Sequence, residues 1–360
     1  MSGRRIHEQL PSHQIPGFRS LYPRRTAWDK QYIKLNTNES PYPPSQAVLT
    51  ALGEEDIRDL RLYSDPEGKA LKLALARLYG MGADQVFLSN GSDDILNFAF
   101  MAFGQDGAVF PDLTYSFYPV FADLHGVPYS TVPLHEDFTV DVPGLSGTGK
   151  LTVLANPNAP TGIALPLSEV EKIIASNPDH VVVIDEAYVD FGADSAAALV
   201  DRYPNLLVVM TYSKSRSMAG ARLGFALGQP ELIADLEKLK FSTNPYNVNR
   251  LTLKLGIAAA ASDDYFRANA QRIMATRETT TNALRQMGFS IPDSQANFLF
   301  ITHPQVDGAK LYQACKDKGV LIRHFSTPAL APYNRVTIGS EEEMATFLSV
   351  VEEILAEEGV

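Results

Sequence analysis

Short apolar segments alternate with segments of helical periodicity between about residue 45 and residue 245. The predicted strands lie at residues 85–89, 108–110, 151–155, 181–185, 206–211 and 223–227. Several are apolar throughout, which is typical of strands that helices cover on both faces. Apolar residues recur every three or four positions in the predicted helices at residues 68–79, 168–175 and 231–239. The alternation predicts a large α/β domain, residues 45–245, with a largely parallel sheet.

The pattern changes beyond residue 245. A helical stretch covers about residues 249–287 and is interrupted near 262–264. After it come short predicted strands and a last helix, at residues 297–301, 320–323, 335–338 and 341–357. This part predicts a smaller α+β domain, residues 246–360. Residues 1–44 are rich in Pro and Arg and lack clear periodicity, and we expect them to form an N-terminal arm packed with the small domain.

The composition narrows the class of protein. A chain of 360 residues with 45% hydrophobic content is long enough for two domains and a full core. A single cysteine, Cys315, excludes an internal disulfide and fits the reducing cytoplasm. The first residues carry two positive charges with no apolar segment behind them, so we expect no secretory signal. The sequence has no apolar run of the roughly 20 residues that cross a membrane. The net charge of −11 argues against nucleic acid as a partner, because phosphate backbones require clustered Lys and Arg. The seven histidines show no metal-ligand spacing, so no metal is expected.

Lys214 is the most informative residue of the chain. It lies between Ser213 and Ser215, just after the predicted strand 206–211, and Arg222 follows eight residues later. Among hydroxyls and near another cation, the pKa of a lysine amine can fall, which leaves a neutral nucleophile able to form a Schiff base with a carbonyl. Arg222 would then bind an anionic group of the same ligand, such as a phosphate. Taken alone, Lys214 also fits an ordinary surface position after a strand.

Polar residues follow other predicted strands as well. Asp185 ends the strand 181–185, where open α/β sheets bind ligands, and a carboxylate there can pair with a protonated ring nitrogen. Tyr188, three residues on, can donate to a phenolate oxygen. Ser92 and Asp93 begin a helix, whose free N–H groups suit a phosphate. Two of these residues also fit a purely structural role, in which Asp185 caps a turn and Ser92 caps a helix.

Two loops complete the set of strand ends. Asn156 and Asn158 stand on either side of Pro157 after the strand 151–155, and Tyr115 follows the strand 108–110, where its ring can lie flat against another ring. The combined set is what pyridoxal 5′-phosphate requires: an amine for the aldehyde, a carboxylate for the ring nitrogen, a phenol or amide for the ring oxygen and a phosphate site. We therefore predict this cofactor.

These motifs resemble those of the fold-type I pyridoxal-phosphate aminotransferases. The runs at residues 185–188, 160–162 and 211–225 are typical of that superfamily. The runs at 35–39, 61–66, 245–249 and 296–298 resemble most closely the histidinol-phosphate aminotransferases, of the class II family. The resemblance covers nearly the whole chain. It implies a large domain with a mostly parallel seven-stranded sheet and a smaller α+β domain.

The resemblance also implies a role for each matching residue. Lys214 would bind the cofactor covalently and move the proton from the substrate Cα. The remaining cofactor contacts would come from Asp185 on the ring nitrogen, Tyr188 on the ring oxygen, Tyr115 on the ring face, and Ser92, Asp93, Ser213 and Arg222 near the phosphate. The substrate-binding residues would be Arg335 for the α-carboxylate, Arg323 for the substrate phosphate, Tyr22 beside it, and Asn38. Tyr63 would reach the cofactor phosphate of a neighbouring subunit, which implies a homodimer with shared active sites.

One position departs from the family. Ala159 stands where its members usually carry an asparagine whose side chain binds the ring oxygen. Either Asn156 or Asn158 must substitute, or Tyr188 binds the ring oxygen alone.

The reaction implied is transamination between L-histidinol phosphate and 2-oxoglutarate, which gives imidazole acetol phosphate and L-glutamate in histidine biosynthesis. One site must then accept a phosphate and a carboxylate, and arginine suits both. An aromatic amino acid aminotransferase and a phospho-amino-acid decarboxylase on the same fold remain alternatives. A non-catalytic ligand sensor would need a DNA-binding domain, for which we expect no room before Leu35.

Overall fold

The computed structural model describes residues 31–360, so Tyr22 and most of the N-terminal arm lie outside the described residues. A seven-stranded sheet forms the centre. Its strands are β2 (Val86–Ser89), β3 (Ala108–Pro111), β4 (Tyr129–Val132), β5 (Leu151–Ala155), β6 (Val182–Asp185), β7 (Leu206–Thr211) and β8 (Gly224–Gly228), after a short β1 (Ile33–Lys34). The strand order is β2-β8-β7-β6-β5-β3-β4, parallel except for β8, which runs antiparallel to both of its neighbours. The predicted α/β class with a mostly parallel seven-stranded sheet is confirmed.

Strand β4 has no counterpart among the strands predicted from the pattern. It lies at the edge of the sheet, and its residues Tyr129–Val132 are largely exposed. An exposed edge strand needs no continuous apolar run, so the apolar pattern that predicts the central strands is missing here.

Helices cover both faces of this sheet. They are α1 (Gln46–Leu49), α2 (Glu54–Arg58), α3 (Lys69–Tyr79), α4 (Ser92–Phe103), α5 (Tyr118–His125), α6 (Leu167–Ser176), α7 (Pro230–Thr243) and α8 (Arg250–Ala260). Successive residues of a strand point to opposite faces, so Leu154 packs in one apolar cluster with residues of α3, α6 and α8. Its neighbour Val153 packs in a second cluster with residues of α4, α5 and α7. Burial on both faces explains why the central strands are apolar throughout.

The C-terminal part has its own apolar cluster and a small sheet. The long α9 (Asp263–Gln286) is followed by β9 (Phe298–Ile301), α10 (Gly308–Asp317), β10 (Val320–Leu321), β11 (Arg323–His324), β12 (Asn334–Thr337) and α11 (Glu341–Glu358). Strands β11, β12 and β9 form an antiparallel sheet, while β10 pairs in parallel with β1. The predicted strand 320–323 is therefore two strands in two sheets. The interruption of the long helical stretch is confirmed, since α8 ends at Ala260 and α9 begins at Asp263.

The end of the predicted N-terminal arm that the structure describes contacts this C-terminal part. Ile33 and Lys34 pair with β10, and the carbonyl of Leu35 accepts the N–H of Thr337 at 2.9 Å. Residues 32–360 form one compact unit, and the domain boundary at residues 245/246 stays a prediction. Within residues 31–360, no helix has the length and apolar character needed to span a membrane.

Candidate active site

A cavity of 380 Å³ opens where the parallel strands β5, β6 and β7 end, a volume in the range of small-molecule sites. The last residues of these strands, Ala155, Asp185 and Thr211, all line it. The remaining lining residues are Thr37, Glu39, Ser92, Asp93, Tyr115, Pro157, Ala159, Ala187, Tyr188, Ser213, Lys214, Ala219, Gly220 and Arg222. Most residues predicted to bind the cofactor are therefore brought together, although they come from distant parts of the chain.

Lys214 places its amine in this cavity. It follows β7 by three residues, and its Nζ donates a hydrogen bond to the main-chain carbonyl of Thr37 at 3.2 Å. The same nitrogen lies 5.8 Å from the centroid of the Tyr188 ring. A lysine that is held by a neutral carbonyl and a ring face keeps its amine available for a carbonyl ligand.

Asp185 is buried at the end of β6, and both of its carboxylate oxygens accept hydrogen bonds. Tyr118 donates from its hydroxyl to Oδ2 at 2.8 Å, and the N–H of Ala187 donates to Oδ1 at 3.2 Å. Burial raises the pKa of Asp185 to about 6, although both hydrogen bonds act in the opposite direction. A cation in the cavity would stabilise this carboxylate, so the site fits a protonated ring nitrogen.

The start of α4 forms a cradle for an anion. Gly91 has φ 88°, and a Cβ atom there would lie 2.7 Å from Nη2 of Arg222. A Cβ atom on Gly224 would lie 2.5 Å from the carbonyl carbon of Gly91 and 2.6 Å from the nitrogen of Ser92. Only glycine permits these close approaches, which bring the guanidinium and the first N–H groups of α4 together. A helix N-terminus beside an arginine suits a phosphate.

The position of Asp93 at the start of α4 suggests a contact with the anion, but its carboxylate contacts other side chains instead. Its carboxylate accepts the hydroxyl of Tyr115 at 2.7 Å and lies 3.6 Å from Nη2 of Arg222. Burial, together with this carboxylate, raises the pKa of Tyr115 well above its ordinary value. The side chain of Asp93 therefore fixes the aromatic ring of Tyr115, while its N–H remains a donor of the helix start.

Tyr188 is held from two sides. Its ring packs edge to face on Phe298, with centroids 5.0 Å apart, and its hydroxyl accepts a hydrogen bond from Nδ2 of Asn38 at 2.9 Å. A phenol can donate and accept at once. Because Asn38 supplies the donor, the phenolic proton of Tyr188 is free to be donated into the cavity.

Asn38 is itself tightly fixed. It is buried and adopts a left-handed conformation with φ 57°, which an asparagine tolerates better than most residues. Its N–H donates to Oγ1 of Thr337 at 2.9 Å, and that hydroxyl donates back to Oδ1 of Asn38 at 3.0 Å. Nδ2 of Asn297 donates to the carbonyl of Asn38 at 3.0 Å. These bonds fix the amide that orients Tyr188.

Asn156 and Asn158 use their side chains within their own surroundings. The side chain of Asn156 accepts the N–H of Leu165 at 2.7 Å and donates to the carbonyl of Leu165 at 3.2 Å. Asn158 donates to the carbonyl of Leu113 at 3.0 Å and accepts the hydroxyl of Thr114 at 2.9 Å. Among the described residues of this loop, those that line the cavity are Ala155, Pro157 and Ala159. The structure therefore does not bring either asparagine to the cavity wall.

The two predicted substrate arginines are neighbours in the C-terminal sheet, where Arg323 of β11 lies opposite Arg335 of β12. Nη2 of Arg335 donates to the carbonyl of Asn36 at 3.3 Å, and its guanidinium lies 5.3 Å from the ring of Phe298. Its Nε is buried without a hydrogen-bond partner among residues 31–360. Burial and the nearby Arg323 lower the pKa of Arg335. A partly buried cation whose buried N–H has no partner fits an anionic ligand.

Phe298 lies between Arg335 and the cavity-lining Tyr188, because its ring contacts both the guanidinium of Arg335 and the ring of Tyr188. Arg323 is more exposed, with its guanidinium 5.7 Å from the ring of Phe325. Tyr63 is 77% exposed and stacks on Tyr246 with ring centroids 4.4 Å apart. None of these three predicted residues is among the described residues that line the cavity.

Sequence reasoning did not single out Tyr118 or Thr37. Tyr118 follows Tyr115 by three residues, and its N–H donates to the carbonyl of Tyr115 at 3.2 Å. That spacing is the one available signal, since it places both rings on one turn. Thr37 contacts Lys214 through its carbonyl, which side-chain chemistry does not reveal.

Comparison with known proteins identifies the family. Residues 30–351 match the family described as aminotransferase class I and II. The histidinol-phosphate aminotransferase of Brachyspira hyodysenteriae is 47% identical, over 91% of this chain and 93% of that protein. Histidinol-phosphate aminotransferase 1 of Methylococcus capsulatus is also 47% identical, over 90% and 91% of the two chains.

Among solved structures, histidinol-phosphate aminotransferase from Sinorhizobium meliloti, in complex with pyridoxal-5′-phosphate, has a TM-score of 0.81 at 26% identity and covers 91% of this chain and 92% of that one. L-threonine-O-3-phosphate decarboxylase from Porphyromonas gingivalis shares the fold, with a TM-score of 0.78 at 20% identity over 90% of this chain and 99% of that one. The chain belongs to the class I and II aminotransferases, in the family whose named members are the histidinol-phosphate aminotransferases.

Proposed function

We propose that this chain is a pyridoxal-phosphate-dependent aminotransferase that converts L-histidinol phosphate and 2-oxoglutarate to imidazole acetol phosphate and L-glutamate, in the histidine biosynthesis of the cytoplasm. The observation that carries the proposal is the convergence of Lys214, Asp185 and the phosphate cradle on one cavity. Relatives that are 47% identical over nine tenths of the chain and carry this enzyme's name support the substrate.

The residues present fit the cofactor. Lys214 would hold its aldehyde, Asp185 its ring nitrogen and Tyr115 the face of its ring. Its phosphate would be held by the N–H groups of Ser92 and Asp93, the hydroxyl of Ser213 and the guanidinium of Arg222. When bound, pyridoxal 5′-phosphate supplies an electron-withdrawing ring that acidifies the Cα–H of the amino donor.

Lys214 is the base of the reaction, and its Nζ takes the proton from the substrate Cα. The carbonyl of Thr37 orients this amine through the hydrogen bond of 3.2 Å. Because both predicted asparagines are bonded within their own surroundings, we assign the ring oxygen to Tyr188 alone. Asn38, predicted to bind substrate, is assigned to orienting Tyr188.

The adjacent arginines suit a site that must accept two kinds of anion. We assign the α-carboxylate of glutamate and 2-oxoglutarate to Arg335, whose guanidinium can hold a carboxylate through two parallel hydrogen bonds. We assign the phosphate of histidinol phosphate to Arg323. Tyr22, beside that phosphate in the proposal, lies outside the described residues.

A substrate panel tests this function. L-histidinol phosphate should convert the bound cofactor from its pyridoxal to its pyridoxamine absorbance, and 2-oxoglutarate should restore it. Phenylalanine should act much more slowly. Faster turnover of phenylalanine would favour an aromatic aminotransferase, and release of carbon dioxide from a phospho-amino acid would favour a decarboxylase. If neither histidinol phosphate nor glutamate changes the spectrum, the proposed function is wrong.

We propose further that the enzyme is a homodimer with shared active sites. The exposed residues Leu60, Leu62, Tyr63 and Tyr246 include the stacked pair of tyrosines, and exposed apolar groups of this kind mark interfaces. Tyr63 would bind the cofactor phosphate of the partner.

Co-expression of Tyr63→Ala and Lys214→Ala chains tests the sharing. A mixed dimer carries one site with both residues intact, so activity should recover to about a quarter of the wild-type level when half the dimers are mixed. The Tyr63→Ala homodimer, expressed by itself, serves as the control. No recovery in the mixture would mean that Tyr63 does not act across subunits.

A further inference from the structure

Tyr118 is fully buried, and the proposed reaction assigns it no role. It begins α5, and its ring packs against Phe100 and Phe110 in the apolar cluster on one face of the sheet. Its hydroxyl donates to Oδ2 of Asp185 at 2.8 Å. A hydroxyl in an apolar core needs a partner, so this bond fixes the position of both groups.

Of the two hydrogen bonds that Asp185 accepts, only the one from Tyr118 can be removed by changing a side chain. Oδ1 is bonded by the main-chain N–H of Ala187, which any residue except proline would retain at that position. Oδ2 is bonded by a side chain. A hydroxyl that donates to a carboxylate favours its ionised form, whereas burial favours the neutral form.

The same turn also positions the face of the ring site. Tyr115 and Tyr118 are joined by a main-chain hydrogen bond of 3.2 Å, and their rings meet edge to face with centroids 5.6 Å apart. Tyr115 lines the cavity, and Tyr118 stands behind it against Asp185. One turn of chain therefore connects the residue beside the ring face to the carboxylate beside the ring nitrogen.

We infer that Tyr118 is a positioning residue for the cofactor: its hydroxyl holds the Asp185 carboxylate in place and ionised, and so determines how strongly the ring nitrogen is bound as a cation. The inference rests on the proposed role of Asp185. Tyr118 touches neither cofactor nor substrate in this assignment, and acts through the carboxylate.

Tyr118→Phe removes the hydroxyl oxygen and keeps the ring. The variant and the wild type are compared by equilibrium binding of pyridoxal 5′-phosphate and of its analogue with carbon in place of the ring nitrogen. We expect the variant to lose at least about tenfold in affinity for pyridoxal 5′-phosphate, since hydrogen bonds to charged groups are among the stronger ones in proteins. Affinity for the analogue should hardly change, because it has no ring nitrogen to bind.

The pH dependence of binding gives a second measurement. Without the hydroxyl, the pKa of Asp185 should rise further above its value of about 6 in the wild type. The ionised carboxylate binds the ring cation, so affinity falls as the pH falls through this pKa. In Tyr118→Phe, that fall should begin at a higher pH.

Tyr203→Phe is the matched control. Tyr203 also donates its hydroxyl to a carboxylate, that of Glu171, at 2.7 Å, and neither residue lines the cavity among the described residues. This variant should bind both ligands as the wild type does. A ring-fluorinated tyrosine at position 118 covers the case in which Tyr118→Phe does not fold, because it keeps the ring and donates more strongly. It should move the fall in affinity to lower pH.

Three outcomes would overturn the inference. An equal loss of affinity for both ligands in Tyr118→Phe would mean that Tyr118 only packs the core. An unchanged pH dependence in the fluorinated protein would mean that its hydroxyl does not act on Asp185. A wild type that binds the two ligands equally would instead refute the role of Asp185 itself, and with it this part of the proposed function.

Discussion

Lys214→Ala is expected to lower the rate of transamination by about 10³-fold or more, since the change removes the group to which we assign both the covalent attachment and the base. The rate is measured with L-histidinol phosphate and 2-oxoglutarate at saturating cofactor. Lys214 lines the cavity and its Nζ bonds the carbonyl of Thr37, so we expect the alanine chain still to fold and to bind the cofactor through the phosphate cradle and Asp185.

Small primary amines provide a direct check on the role of the side chain. They can occupy the space left by the side chain near the carbonyl of Thr37, and they should restore part of the rate. Lys238→Ala is the control, because Lys238 is an exposed lysine paired with Asp235 on α7. Borohydride should attach the cofactor irreversibly to position 214 of the wild-type chain. Attachment elsewhere, or a near-normal rate in Lys214→Ala, would contradict the assignment.

The sequence predicted the parts of this site that depend on one segment at a time. The buried strands β5, β6 and β7 were visible as apolar runs, and parallel strands bring their carboxyl ends to one edge. The polar residues at or just after these ends, Asp185 and Lys214 among them, were therefore expected to meet. The same reasoning missed β4, whose exposed residues carry no apolar run.

Partnerships between distant side chains were beyond that reasoning. Asn38 and Tyr188 are 150 residues apart, and Tyr118 and Asp185 are 67 apart, yet each pair shares a hydrogen bond. No local pattern encodes which buried donor meets which acceptor. The same limit applies to Asn158, whose amide is bonded to residues 113 and 114, 45 and 44 positions away.

Adjacent carboxylates show how the fold assigns different tasks to similar residues. Asp185 lines the cavity, whereas the next residue, Glu186, is buried and accepts the hydroxyl of Ser195 and the N–H of Ala196. Burial raises the pKa of Glu186 to about 8. Alternate residues of an extended chain point to opposite sides, which separates the two carboxylates. Sequence alone places both in one motif, and only the structure distinguishes the ligand-facing group from the structural one.

The arginine pair allows the substrate assignment to be tested residue by residue. In Arg335→Ala, kcat/KM for glutamate should fall by about 10²–10³-fold, because losing one partner of a buried charge pair costs about 2–5 kcal/mol or more. In the same variant, kcat/KM for histidinol phosphate should also fall, since the guanidinium of Arg335 lies beside Arg323 and helps to hold anions at this sheet. Arg323→Ala should instead impair histidinol phosphate more than glutamate, as Arg323 is assigned to the phosphate.

Arg335→Lys separates charge from geometry. Lysine keeps the cation but cannot form the two parallel hydrogen bonds of a guanidinium, so kcat/KM for glutamate should lie between those of the wild type and of Arg335→Ala. Arg285→Ala is the control for losing a cation in the same part of the chain, because Arg285 bonds Ile291 and Asp293 on the surface. Cofactor affinity should stay near the wild-type value throughout, since neither Arg335 nor Arg285 is among the described residues that line the cavity. If Arg335→Ala leaves kcat/KM for glutamate almost unchanged, another group must bind the α-carboxylate, and the open Nε of Arg335 serves some other ligand.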